Sequence, residues 1–172
     1  MLEEVFFKGE FISKFLSDEL ERISSALSSD LKNEEDIQKT YRKLHIEPLE
    51  ISEEDMTTEE FEGYRDRNPF LQRPATKNSP YAVKCKVVEY KIPFEGDRRL
   101  FRVTTSPFPF YPFGRLEEDH FVFRIAEEKM DFLNDIDYQM TLLRLCVDKC
   151  KAFVKCFNSD LMDRIRESAE HA

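Results

Sequence analysis

Glu89-Tyr90-Lys91 is the triplet whose residue types and spacing come nearest to a catalytic motif. An acid and a lysine two residues apart on a strand lie on one face, where they can hold a divalent metal and an attacking water. The chemistry needs a second carboxylate, and Asp66 is the nearest plausible one. The pattern indicates a small metal-dependent nuclease, although an exposed strand face with alternating charges produces the same triplet.

Other catalytic and cofactor chemistries find less support. Four glycines are too few for a glycine-rich phosphate loop, and three histidines assemble no Ser-His-Asp or Cys-His arrangement. Cys146 and Cys150 could share a metal with Cys156 or His120, but structural zinc sites normally use tight cysteine pairs on turns. We therefore predict no cofactor and no metal, and cysteines that stay reduced and mostly buried.

The segment from Pro80 to Phe113 reads as a β-hairpin that runs into a loop of alternating prolines and aromatic residues. Either the rings fill a gap in the core, or they are presented to a partner as preordered binding anchors. The neighbouring arginines suit an anionic ligand or a partner's carboxylates. The candidate binding residues are Arg98, Arg99, Arg102, Phe108, Phe110, Tyr111, Phe113 and Arg115.

The elements that position these residues predict an α+β fold in a single domain, residues 1–172. Residues 1–65 read as a helical front, in which the spacing of Phe15, Leu16 and Ile23 predicts a first helix and Asn33 is a cap residue before a second. Thr57 and Glu60 form a capping box that favours a brief helix towards Tyr64. Residues 80–126 read as a mostly antiparallel sheet of at least three strands, with a turn at Glu95-Gly96-Asp97 and a return strand from Leu100 to Thr105. The third strand is expected from His120 to Ile125, with Phe121, Phe123 and Ile125 facing in. The apolar alternation changes phase at Val87-Val88, which predicts a β-bulge there.

Residues 131–170 predict one long amphipathic helix with a coiled-coil-like heptad seam. Packing against the N-terminal helices and pairing with another chain both remain open. The seam residues are Ile136, Met140, Leu143, Val147, Cys150, Val154, Phe157 and Leu161.

Composition limits the function classes. The net charge of -9 opposes general nucleic-acid binding, which draws its affinity from lysine and arginine. No apolar run approaches the length of a membrane span, and the acidic start is not a secretory signal. We therefore expect a cytoplasmic protein that forms a homo-oligomer, such as a dimer, or binds a protein partner.

Two stretches carry a family resemblance. They are the Tyr-x-Ile-Pro-Phe-Glu-Gly-Asp-x-x-Leu-Phe pattern within Glu89 to Pro107, and Phe157-Asn158-Ser159-x-Leu161 on the long helix. Residues 80–166 thereby resemble the N-terminal, non-catalytic region of uncharacterised bacterial proteins that end in a restriction-endonuclease-like domain. The resemblance implies that nuclease chemistry belongs to a downstream domain, and that this chain is an excised front domain or a short relative.

The leading hypothesis is a non-enzymatic recognition and oligomerisation module, the sensor or interaction part of a bacterial defence nuclease. One alternative is the metal-dependent nuclease of Asp66, Glu89 and Lys91. The other is a plain structural assembly protein whose aromatic loop is entirely core.

Overall fold

The computed structural model describes residues 4–7, 9–27, 33–66, 77–78, 80–105, 111–126 and 135–170. They form the expected α+β fold, with helices near the N-terminus, an antiparallel sheet and a long C-terminal helix. Within these residues no helix is both long and apolar enough to cross a membrane. Phe108 and Phe110 lie outside the described residues.

The chain divides into two compact units. Unit 1 comprises Met1–Phe6, Glu50–Glu95 and Phe108–Val147, and unit 2 comprises Phe7–Leu49, Gly96–Pro107 and Asp148–Ala172. Each unit is therefore assembled from three separate stretches of the chain.

Unit 1 contains an antiparallel sheet in the order β1-β5-β6-β4-β2, with β3 also paired to β4. The third strand that the sequence predicts at His120 is confirmed as β6. The strands are β1 (Glu4–Val5), β2 (Glu50–Ile51), β3 (Thr57–Asp66), β4 (Ala82–Glu95), β5 (Phe113–Leu116) and β6 (His120–Ala126).

β4 is the strand around which unit 1 is organised, because it pairs with β6 along one edge and with β3 and β2 along the other. Its register with β3 and with β6 does not slip anywhere along either ladder, so the predicted bulge at Val87-Val88 is wrong. The buried face changes instead: Val87 and Glu89 are buried on one face, and Ile92 and Phe94 on the other. The change of phase in the apolar alternation of the sequence therefore reflects a switch of the buried face of β4 from one side to the other.

The brief helix expected from Thr57 is also wrong, since those residues form the 10-residue strand β3. A capping box is a local signal worth about 1 kcal/mol. Here it competes with hydrogen bonding to β4 along the whole of β3, from Thr57 opposite Lys91 to Asp66 opposite Ala82. Threonine and aromatic residues also favour a pleated, half-buried surface.

Unit 2 contains the two N-terminal helices, α1 (Ile12–Ala26) and α2 (Glu34–Leu44). The predicted capping role of Asn33 is confirmed, because its side chain accepts a hydrogen bond from the Asp36 N–H at 2.9 Å. The turn at Gly96 is confirmed as well. Gly96 has a φ of +103°, and a Cβ there would lie 2.2 Å from the Pro48 carbonyl oxygen, so only glycine fits without a shift.

The return strand expected at Leu100–Thr105 is wrong. Arg98–Arg102 form a 3-10 helix, capped by the Asp97 carboxylate, which accepts a hydrogen bond from the Arg99 N–H at 2.9 Å. Thr104 makes an isolated parallel bridge to Phe11 at the start of α1. A hairpin partner finds no free edge along most of β4, because β3, β2 and β6 occupy both.

The long helix, α3, runs from Ile136 to Glu170 and is 35 residues long. Its first residues belong to unit 1, where the Gln139 side-chain oxygen accepts a hydrogen bond from the Phe113 N–H at 3.3 Å. Its later residues belong to unit 2, where Asn158 holds both backbone groups of Ile46: Oδ1 accepts from the N–H at 3.0 Å and Nδ2 donates to the carbonyl at 2.9 Å.

Candidate functional site

A cluster of five charged side chains lies on the sheet of unit 1, and we call it the Glu89 cluster: Glu89, Lys91, Arg115, Glu117 and Arg124. The strand register brings it together, because Glu89 of β4 is directly opposite Arg124 of β6. Val122 of β6 is in turn opposite both Lys91 and Arg115. Cross-strand neighbours share a face of the sheet, so these cations surround one carboxylate.

Both oxygens of the Glu89 carboxylate face cations. Oε2 accepts hydrogen bonds from Arg124 Nε at 2.7 Å and from Arg115 Nη2 at 3.0 Å, and Oε1 lies 3.5 Å from Lys91 Nζ. Arg115 is shared, since its Nε and Nη2 also donate to Glu117 at 3.0 and 2.6 Å. The arginines are therefore held in place by carboxylates on their own sheet.

Glu89 is only 5% exposed, so it does not belong to an exposed strand face. Burial by itself raises the pKa of its carboxyl group, but the hydrogen bond from Arg124 and the charges of Arg115, Arg124 and Lys91 together bring that pKa below its ordinary value. Glu89 is thus an ionised, buried counter-ion.

Arg124 is oriented from two sides. Its Nε donates to Glu89, and its guanidinium lies over the Phe61 ring, 5.4 Å from the ring centroid. In the described part of the chain its Nη1 and Nη2 meet no acceptor, and 28% of the side chain is exposed. The Lys91 side chain is 32% exposed. The cluster therefore has positive groups that water, or a ligand, can reach.

The predicted nuclease residues do not come together as a set. Glu89 and Lys91 share a face, but Asp66 pairs with Ala82 at the far end of the β3–β4 ladder. Ala82 is seven residues from Glu89 along β4, roughly 23 Å at 3.3 Å per residue. No group of three or more metal-ligating side chains occurs among the described residues. The structure therefore does not bring Asp66 to Glu89 and Lys91, as the metal-dependent mechanism requires of these three residues.

The predicted binding residues are divided between the two units. Arg98, Arg99 and Arg102 belong to unit 2 and are exposed. Tyr111, Phe113 and Arg115 belong to unit 1; the two aromatic residues are half-buried, and Arg115 is part of the Glu89 cluster. Arg115 is the predicted binding residue that the cluster contains.

Arg99 contrasts with Arg124, because its donors are taken. Its Nε and Nη2 bond to Asp97, its Nη1 bonds to Glu19 at 3.3 Å, and its guanidinium lies 5.5 Å from the centroid of the Phe15 ring. The carboxylates of its own unit therefore hold Arg99 with little donor capacity left for a ligand.

The heptad seam is part of the chain's own core. Its residues after Ile136 are all buried in the single chain, and Leu161 and Ile165 are fully buried. In unit 2 the Cys150 sulfur also contacts the Leu100 carbonyl oxygen at 4.0 Å. Packing within the single chain therefore already covers these residues, and an oligomer seam stays a prediction for Met140, Leu143, Val147, Cys150, Val154, Phe157 and Leu161.

None of the four cysteines forms a disulfide bond, and they differ in exposure. Cys146 and Cys150 are buried, Cys85 is half-buried and Cys156 is exposed. The close neighbour of Cys150 is a carbonyl oxygen, as expected of a small core residue.

Sequence reasoning missed Arg124 and the role of Glu117. A signal for Arg124 was present, because Phe121, Phe123 and Ile125 were assigned to one face, which leaves Val122 and Arg124 on the opposite one. The pairing of β6 with β4 was the missing step, since it puts Arg124 beside Glu89.

Comparison of the chain with family models, with curated proteins and with solved structures found no match.

Proposed function

We propose that this chain is a non-enzymatic recognition module and that the Glu89 cluster is its binding surface. The observation that carries the proposal is the state of Glu89: a buried carboxylate already engaged by two guanidinium groups and one ammonium group. A carboxylate in that state serves poorly as a metal ligand or general base, because the cations compete with a metal and lower its basicity. It serves well as the anchor of a recognition site.

Fixed arginines suit recognition for a physical reason. A guanidinium that is already oriented loses less side-chain entropy on binding, and its planar donors match the geometry of anionic groups. Arg124 is oriented by Glu89 and by the Phe61 ring before any partner arrives. The proposal keeps a protein partner or a second copy as the binding partner and the cytoplasm as the compartment. Four cysteines without a disulfide bond are consistent with a reducing compartment.

Affinity capture from an extract of the native host tests the proposal, with the full chain as bait. Two variants provide the comparison: Arg124→Gln removes the proposed contact, and Arg144→Gln removes an arginine of the same unit that is paired with Glu53. We expect a partner that the wild-type chain and Arg144→Gln retain and that Arg124→Gln loses. A partner retained equally by all three baits contradicts the proposed surface.

A cleavage assay tests the non-enzymatic part of the proposal. Supercoiled plasmid and single-stranded DNA are incubated with the purified chain in Mg²⁺ or Mn²⁺, and we expect no cleavage. Metal-dependent cleavage that disappears in Glu89→Gln would overturn the proposal in favour of a nuclease.

A further inference from the structure

We infer that the Glu89 cluster binds one oxyanion, a carboxylate or a phosphate group, through the Nη nitrogens of Arg124 and the ammonium group of Lys91. This inference rests on the proposed function and adds the class of ligand. Its starting point is a donor count: Arg124 uses its Nε for Glu89, and its two Nη nitrogens have no acceptor among the described residues.

The charges of the cluster favour an anion. Three cations, Lys91, Arg115 and Arg124, face two carboxylates, Glu89 and Glu117, so one positive charge is in excess. That excess stands out in a chain whose net charge is -9. An incoming anion would meet this positive charge beside a buried carboxylate, where water screens the attraction less than on an open surface.

Glu59 is the carboxylate that could cancel the excess. It lies directly across from Glu89 on β3, but its side chain is exposed and makes no ion pair with the three cations in the part of the chain described. Exposed charges interact weakly because water and salt screen them. Glu59 therefore reduces the attraction for an anion without occupying Arg124 or Lys91.

The geometry favours a planar or tetrahedral oxyanion over a chloride-like sphere. The two Nη nitrogens of a guanidinium donate parallel hydrogen bonds, which match two oxygens of one carboxylate or phosphate. Lys91 lies close enough to add a third contact, because Lys91 and Arg124 each approach a different oxygen of the same Glu89 carboxylate, at 3.5 and 2.7 Å. An anion held there would bridge β4 and β6.

Arg144 provides an internal comparison in the same unit. Its Nε and Nη2 both donate to Glu53, so a carboxylate already occupies the position that we assign to a ligand at Arg124. About half of its side chain is exposed, more than that of Arg124. If side-chain exposure alone determined anion binding, Arg144 would bind anions better than Arg124. If unoccupied Nη donors determine it, Arg124 would bind anions better than Arg144.

The inference is tested by NMR titration of the ¹⁵N-labelled full chain with sodium phosphate and, separately, with sodium acetate, against sodium chloride at the same ionic strength. We expect saturable shifts of backbone amides in β4 and β6 with at least one of the two oxyanions and none with chloride. Stronger binding of phosphate would indicate a phosphate-bearing ligand, and stronger binding of acetate would indicate a carboxylate on a partner.

Variants assign the shifts to the cluster. Arg124→Gln should weaken binding by roughly 10- to 100-fold, which is about 1.4–2.8 kcal/mol and is typical of hydrogen bonds to charged groups. Arg144→Gln should bind as the wild type does. Lys91→Gln, which keeps the Glu89–Arg124 pair, should lose affinity as well and serves if Arg124→Gln fails to fold. Equal binding by wild type, Arg124→Gln and Lys91→Gln would overturn the inference, as would the absence of saturable shifts.

The two failures can be told apart. Plasmid cleavage that depends on Glu89 would remove the recognition function itself. Absence of oxyanion binding, with a partner still captured through Arg124, would leave the recognition surface and remove the ligand class assigned to it.

Discussion

Replacing Glu89 with alanine should destabilise the fold strongly. The substitution removes the carboxylate that receives hydrogen bonds from Arg124 and Arg115, at 2.7 and 3.0 Å. It leaves two guanidinium groups close together without the negative charge between them. Their mutual repulsion then adds to the loss of the hydrogen bonds.

The size of the effect follows from how buried each partner is. Removing one member of a buried ion pair typically costs about 3–5 kcal/mol. The lower value applies here, because Arg115 keeps Glu117 and the Arg124 side chain is 28% exposed and can turn to water. We expect Glu89→Ala to lower the free energy of unfolding by about 3 kcal/mol, and Tm by about 6–12 °C at 2–4 °C per kcal/mol.

Urea unfolding followed by circular dichroism measures the change, with Glu59→Ala as the matched control. Glu59 is the exposed cross-strand neighbour of Glu89 and should change stability by no more than about 0.5 kcal/mol. A catalytic acid often destabilises the fold in which it is held, so replacing such a residue is often neutral or stabilising. Equal stability of Glu89→Ala and the wild type would mean that the ion pairs of Glu89 do not stabilise the fold.

Four further predictions concern the same architecture. The pKa of Glu89 in the folded chain lies below its ordinary value of 4.5, so ionised Glu89 stabilises the fold fully above pH 4.5 and loses this effect as the pH falls through the lowered pKa. Urea midpoints measured between pH 7 and pH 3 should therefore fall more steeply for the wild type than for Glu89→Gln. Leu161→Ala should cost about 2–5 kcal/mol because the side chain is 0% exposed, whereas Leu145→Ala on the same helix, with Leu145 49% exposed, should cost far less; similar urea midpoints for the two variants would contradict the burial of the seam. Asn158→Ala should cost about 2 kcal/mol, because a buried backbone donor and a buried acceptor both lose their partner; thermal unfolding measures it, and Asn158→Asp should rescue only the contact to the donor. Gly96→Ala should lower Tm by several degrees, because a φ of +103° and the nearby carbonyl oxygen both disfavour a Cβ; an unchanged Tm would mean that this turn rearranges freely.

Sequence patterns predicted the elements with strong local signals. The amphipathic spacing of Phe15, Leu16 and Ile23 marked α1, and Asn33 marked the start of α2. Gly96 marked the turn after β4 because the backbone there has a positive φ. Each of these features depends on residues close together in the chain, which is why periodicity and caps identify them.

Features that depend on long-range pairing could not be predicted in the same way. The capping box at Thr57 suggested a helix, but pairing with β4, which starts 25 residues further along the chain, makes β3 a strand. The seam of α3 has the same heptad pattern whether it packs on its own chain or on another, so the pattern alone could not show that the single chain buries these residues.

The candidate site shows the same limit. Glu89 and Lys91 were found because they are two residues apart, but their chemistry depends on Arg124, which is 35 residues away in sequence. In this chain the triplet is part of an ion cluster, because Arg124 lies across from Glu89 on β6 and donates a hydrogen bond to its carboxylate. That cross-strand neighbour changes the chemistry of the carboxylate, and the triplet alone does not reveal it.

If Glu89 holds Arg124 in place, a double-mutant cycle should show strong coupling between the two side chains. Urea unfolding of the wild type, Glu89→Gln, Arg124→Gln and the double variant gives the coupling free energy between the two side chains. We predict a coupling of about 2 kcal/mol, near the upper part of the range for residues that share an ion-pair network. A coupling below about 0.5 kcal/mol, the level of independent sites, would contradict it.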